Sequence, residues 1–198
     1  MEMKQRYMMV VHLLISVLEA RAAEVPASSN KQVLGFTPRL KKEAEIRASF
    51  KKLSQAVDLL DSDAQLEIYR GVPRALVADF EKSMRTRNAN NKELMSRYAS
   101  VFYAQGETAS RKDSEKLLAL VKTPRSFKEF SGFKLCGWFH PNYALVWTKG
   151  KRVVEIHVCL TCHEIKIFHS RLEIYCEIDN DAYQQLLGFG KALEEESK

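Results

Sequence analysis

The period of the apolar positions changes near Lys134. Before it, the chain reads mostly as helix. Ile46, Phe50, Leu53, Val57 and Leu60 recur at spacings of four and three. Those spacings share one helical face, so Leu40 to Leu60 is expected to be a core-facing helix. Leu66 to Arg70 alternates and stops at Gly71-Val72-Pro73, which predicts a short strand. Arg74 to Arg87 returns to helical spacing through Leu76, Phe80 and Met84, until Asn88-Ala89-Asn90-Asn91 breaks it. Val101-Phe102-Tyr103 before Gly106 favours a strand within the ambiguous stretch Met95 to Ala104. Ser110, with Asp113 three residues on, resembles a capping box and starts a helix through Val121.

After Lys134 the pattern is that of strands. They are expected over 144–147, 152–158, 164–168 and 172–178, with a turn at Lys149-Gly150-Lys151. Asp179 or Asp181 then starts a helix carrying Tyr183, Leu186, Leu187 and Phe189. The expected fold class is α+β: a helical N-terminal half packed on a C-terminal antiparallel sheet of about four strands, with a closing helix at the C-terminus.

The N-terminus has a different pattern. Lys4 and Arg6 precede an apolar run from Tyr7 to Leu18, and Ala20-Arg21-Ala22 offers small residues at a cleavage site. This is the layout of an export signal. The run falls short of the ~20 apolar residues that a spanning helix requires. Residues 1–22 are therefore read as a signal peptide, giving an exported (periplasmic or secreted) protein without a stable membrane span after cleavage. Residues 23–38 are rich in Pro, Ser, Asn and Gly and read as a flexible tether. Residues 39–194 are long enough for a single α+β domain.

The formal net charge is +6, but basic and acidic residues are interleaved, as in Lys41-Lys42-Glu43-Ala44-Glu45. That is a solvated surface rather than a nucleic-acid footprint.

Candidate chemistry lies in the four cysteines, all in the second half. Cys159-Leu160-Thr161-Cys162-His163 has the C-x-x-C-H spacing that attaches a c-type haem through two thioethers and a histidine. No methionine follows Met95, so a second axial ligand falls to His140, His157, His169 or an upstream methionine. The same five residues also make half of a zinc site. On a continuous strand, residues three apart face opposite sides. A turn at Leu160-Thr161 would bring Cys159 and Cys162 together at a hairpin tip. Cys136 and His140, four apart beside Gly137, supply a second half-site. Cys136, His140, Cys159 and Cys162 then form a Cys₃His set suited to structural zinc, and Cys176 is a further ligand or disulfide partner.

Disulfides are the third reading, since an exported chain with an even number of cysteines can hold two. Cys136–Cys159 or Cys162–Cys176 would tie strands of one sheet. A redox C-x-x-C at a helix start is disfavoured, because the residues from Glu164 alternate as a strand. The same alternation disfavours a catalytic pair at His163-Glu164. Trp138, Phe139 and Trp147 read as core.

Three cysteine segments carry a resemblance: Cys136-Gly137-Trp138-Phe139-His140-Pro141-Asn142-Tyr143, Cys159-x-x-Cys162-His163-Glu164 and Tyr175-Cys176-Glu177-Ile178. Together with Tyr69-Arg70-Gly71-Val72-Pro73, they resemble an uncharacterised family of exported bacterial proteins. That family has CGGFHPD-like, CFxCHE-like, YCD-like and YEGLPH-like segments. The resemblance spans roughly residues 55–190. It implies that these cysteines and histidines belong to one site or framework, and it implies no activity. Trp138, Asn142 and Arg74 depart from the pattern, standing where a second Gly, an acid and a His are usual.

The sequence thus predicts an exported, non-enzymatic domain with a Cys/His structural or metal-binding framework. A c-type haem electron carrier is the alternative, and no substrate or partner is specified.

Overall fold

The computed structural model describes residues 42–85, 93–132, 139–170 and 172–195. The proposed signal, the tether and Cys136 lie outside them. The described residues belong to one compact unit.

The helix expected over Leu40–Leu60 is two helices, α1 (Glu43–Phe50) and α2 (Leu53–Val57). The two do different jobs, which accounts for the bend at Lys51-Lys52. α1 lies against the open edge of a strand, where Ser49 Oγ accepts the backbone N–H of Tyr175 at 3.1 Å. α2 turns Leu53, Ala56 and Val57 onto the face of the sheet. Strand β1 (Gln65–Arg70) follows, then α3 (Arg74–Arg85). The ambiguous stretch after it is a hairpin, β2 (Leu94–Arg97) and β3 (Ser100–Tyr103). Beyond β4 (Glu107–Thr108), α4 (Arg111–Lys122) begins at the expected cap, with Ser110 Oγ accepting the Asp113 N–H.

A short 3₁₀ turn leads into β5 (Phe127–Glu129). The four expected strands then appear as β6 (Tyr143–Lys149), β7 (Arg152–Cys159), β8 (Glu164–His169) and β9 (Leu172–Ile178). α5 (Asn180–Glu195) closes the fold.

The mixed α and β class, the antiparallel meander β6–β9 and the closing helix are as expected. The four-strand sheet is not. Among the described residues the sheet has seven strands, in the order β4-β1-β6-β7-β8-β9-β5, all antiparallel. β1 pairs with β6 along its whole length, and β5 pairs with the end of β9. The part of the chain before Lys134, where the expected strand at Leu66–Arg70 is β1, thus builds both flanks of the sheet.

The sheet is covered on both faces. Leu66, Ile68, Leu145, Trp147, Val154, Ile156, Val158, Ile165, Ile167, Ile174 and Ile178 make one face. They form a single core with α2, α4 and α5. On the opposite face, Tyr69, Ala144 and Val146 pack against Met95 and Phe102 of the β2–β3 hairpin. Two-sided cover explains why β6 and β7 are buried at nearly every position. Among the described residues, no helix is long and apolar enough to cross a membrane.

Candidate functional site

The motif segments gather at one end of the sheet. β7 finishes there at Cys159, and β8 leaves at Glu164, its cross-strand partner. Between them Leu160–His163 is a tight turn: the His163 N–H donates to Leu160 O at 3.4 Å, and His163 has φ 56°. Leu160 N–H donates to Asn142 Oδ1 at 2.8 Å, so the segment before β6 is fastened to the C-x-x-C-H turn. His163 O accepts the Ile178 N–H at 2.8 Å, tying in the end of β9. Gly71, just after β1, donates its N–H to Asn142 O at 2.7 Å. These hydrogen bonds therefore join all four segments singled out in the sequence, the link from Asn142 to Leu160 running through the Asn142 side chain.

Sharing an end is not sharing a face. Cys159 lies on the face that carries Glu155 and His157, since positions two apart on a strand point the same way. Cys176 belongs to the opposite face, inside the helix-covered core. Both are fully buried thiols. Burial pushes the Cys176 thiol far up, away from the reactive thiolate. Cys162 sits half-buried in the turn. The pairings Cys136–Cys159 and Cys162–Cys176 are thereby corrected: Cys159 and Cys176 are thiols, held on opposite sides of a hydrogen-bonded sheet.

The histidines separate too. His163 stacks on Tyr183 of α5, with ring centroids 3.7 Å apart, on the helix side of the sheet. His140 lines a cavity with Arg74, and the nearby guanidinium adds to burial in lowering its pKa. A neighbouring arginine opposes a bound cation. Of the Cys₃His set, Cys136 lies outside the described residues. His140, Cys159 and Cys162 have the separate settings just given. Among the described residues, no three or more His, Cys, Asp or Glu side chains are grouped to hold a metal.

The face carrying Cys159 holds a buried polar network. Arg97 at the end of β2 donates from Nε and Nη2 to the two oxygens of Glu155, at 2.7 and 2.6 Å. Glu155 also lies 2.7 Å from His157 Nε2. The carboxylate is an acceptor only, which assigns the Nε2–H tautomer to a neutral His157. Burial lowers the pKa of His157, and Glu155 counters this only in part. Burial alone would raise Glu155, but His157 and Arg97 outweigh it and hold the carboxyl low. Tyr98, Phe102 and Phe168 box the imidazole.

Further along this face, Tyr175 Oη donates to Glu164 at 2.5 Å, and Lys166 lies over the rings of Phe139 and Tyr175. Phe139 is thus part of the cover, and Trp147 is core, as expected. The role of Glu155 with His157 was missed in the sequence. Its signal was present: a carboxylate and an imidazole two apart on a strand share a face.

No family model, curated protein or solved structure matches the chain.

Proposed function

We propose that this is an exported, non-enzymatic domain whose cysteine-bearing sheet end is a structural framework, clasped by one disulfide between Cys162 and Cys136. The observation that supports the reading is that Cys159 and Cys176 are both buried as thiols, on opposite faces of the sheet, which leaves the half-buried Cys162 of the turn to form the clasp. Cys136 is the remaining cysteine of the four. A sulfur committed to a disulfide can neither ligate zinc nor add to a haem vinyl group. The disulfide suits an oxidising compartment, which agrees with the signal pattern of residues 1–22. The resemblance to an exported family supports the same compartment.

The framework has a mechanical purpose. The segment before β6 crosses the end of a sheet whose far face is polar and buried. It is held by Asn142, Pro141 and Phe139. A covalent tie from the neighbouring turn adds to those contacts by constraining the unfolded chain, an effect of about 2–4 kcal/mol.

Expression of the full chain in a host with a secretory route tests this. The product is expected outside the cytoplasm, beginning at Ala23, colourless and without stoichiometric zinc. Its mass should be two hydrogens below the fully reduced value. A Soret band that survives acid–acetone extraction, or one zinc per chain, would overturn the reading. So would a full-length cytosolic product.

A further inference from the structure

We propose that the groove between α4 and α5 binds a single-chain amphiphile, its chain lying along the helices and its zwitterionic head between Arg125 and Asp181. The groove has a volume of about 890 Å³. That is within the range of small-molecule sites, about 300–1,000 Å³, and such sites recur between helices. α4 ends where α5 begins, since Asp179 N–H donates to Ser126 O at 2.9 Å. From that bond the groove follows both helices, α4 back to Asp113 and α5 on to Ala192. The span from Asp181 to Ala192 makes it roughly 16 Å long, at about 1.5 Å per helical residue.

The groove is amphipathic along its length. Leu117, Leu120 and Ala182 form a buried floor, with Phe189 half-buried beside them. The end closed by the Ser126–Asp179 bond is polar. Arg125 and Asp181 flank that bond, and both are exposed. Among the described residues, neither the Arg125 guanidinium nor the Asp181 carboxylate makes an ion pair or a side-chain hydrogen bond. Their neighbour Asp179 is already held by Lys128, at 2.5 Å. Lys128 reaches Asp181 only as a longer-range charge. A head with a single charge would suit one of the two groups and be opposed by the other. A head with both, a phosphate beside a quaternary ammonium, complements the pair.

Gly188 keeps the groove open. It lies inside α5, where glycine weakens a helix relative to alanine. Gly190 has a reason within the chain, because a Cβ there would stand 2.9 Å from Tyr143 Oη. At Gly188 a Cβ would meet no atom of the described residues within 4 Å. The α5 backbone is thus open to close approach from outside, which suits an apolar chain lying in the groove. Nothing here depends on how the cysteines are paired.

The test is an amide-resolved NMR titration of the mature protein with decylphosphocholine below its micellar concentration. Octylphosphocholine, decanoate, decyltrimethylammonium and decyl maltoside are the comparators. Decylphosphocholine is expected to shift amides of residues 116–126 and 179–192 in a saturable way. A fully buried methylene tightens binding about fourfold, so the octyl homologue should bind at least about fourfold more weakly. Each of the other heads should bind about threefold more weakly, the scale of one exposed ion pair. Arg125→Gln should weaken decylphosphocholine by the same factor and leave decyl maltoside unchanged. Gly188→Leu fills the groove from an open position, so it should melt no lower than the parent and bind about tenfold more weakly. The exposed control Lys112→Gln should bind like the parent.

The proposal fails if decylphosphocholine does not shift these amides, or if the octyl chain or any other head binds as tightly. It also fails if Gly188→Leu or Arg125→Gln binds like the parent. Groove amides that move on dilution without a probe would give the groove to a second copy. Contacts to them from residues 23–41 would give it to the chain's own tether. Either result would overturn the assignment.

Discussion

The backbone of Gly71 lies directly against the carbonyl oxygen of Pro141: a Cβ at position 71 would sit 1.9 Å from it. No rotamer relieves that clash, because both groups are main chain. Gly71→Ala must therefore push β1 and the Phe139–Asn142 segment apart and weaken the bond from Gly71 N–H to Asn142 O. The expected loss of stability is about 3 kcal/mol, the upper end of an overpacking penalty. Urea denaturation with circular dichroism measures it. A variant as stable as the parent would show that the two segments do not touch.

Arg97 and Glu155 are a pair buried at its acidic end, with Glu155 only 1% exposed and Arg97 14%. Removing one partner strands the other charge, whereas replacing both need not. Arg97→Met is expected to cost about 3–5 kcal/mol. The double variant Arg97→Met/Glu155→Gln keeps a hydrogen-bond acceptor for His157 and should be more stable than the single one. Paired denaturation curves check the order. The reverse order would mean that the ion pair is not desolvated.

His157 makes stability depend on pH with a definite sign. Its folded pKa lies below its unfolded value of about 6.5, so the unfolded chain takes up the proton first. Its contribution is complete above that value and is lost as pH falls through the folded pKa. Glu155 is also depressed, and its contribution is lost lower, as pH falls through the carboxylate range. Unfolding free energy should therefore decline in two stages on acidification. His157→Phe, in a site already boxed by rings, should remove most of the upper stage. His140, shifted in the same direction, supplies what remains of it. An unchanged upper stage in His157→Phe would contradict the assignment.

Tyr98 and Ala99 form the two-residue turn of the β2–β3 hairpin with φ of 44° and 62°. Such a turn asks for Asn-Gly, because both central residues are left-handed. Tyr98 has a reason to be there, since its ring stacks on Phe168 at 4.2 Å. Ala99 has none of that compensation. Ala99→Gly is expected to stabilise the protein by up to about 1 kcal/mol, the steric relief exceeding the entropic cost of glycine. A thermal melt decides it, and a lower midpoint would mean that the turn is not strained.

Much of this architecture was legible because local signals agreed with the fold. The alternation of Val154, Ile156 and Val158 and the turn at Gly150 predicted the β6–β7 hairpin, and Ser110 with Asp113 predicted the start of α4. The flanks of the sheet were not legible for a physical reason. β4 and β5 span only two and three residues, too few to show a period, and β1 has no local feature that names its neighbour.

The buried polar face was hidden by the rule that polar positions of an alternating strand face water. That rule fails at Glu155 and His157 because a distant hairpin covers them. For the cysteines, the sequence placed their segments at one end of the sheet. Only the register shows that Cys159 and Cys176 face opposite ways.

The most direct test of the central claim is peptide mapping of the exported protein by mass spectrometry, without reduction and after alkylation in denaturant. The account predicts one linked pair joining the peptides of Cys136 and Cys162, with Cys159 and Cys176 alkylated. In the native protein Cys176 should resist alkylation, because burial holds its thiol protonated. Four alkylated cysteines, a Cys162–Cys176 link, or haem mass on the peptide of Cys159 and Cys162 would contradict it.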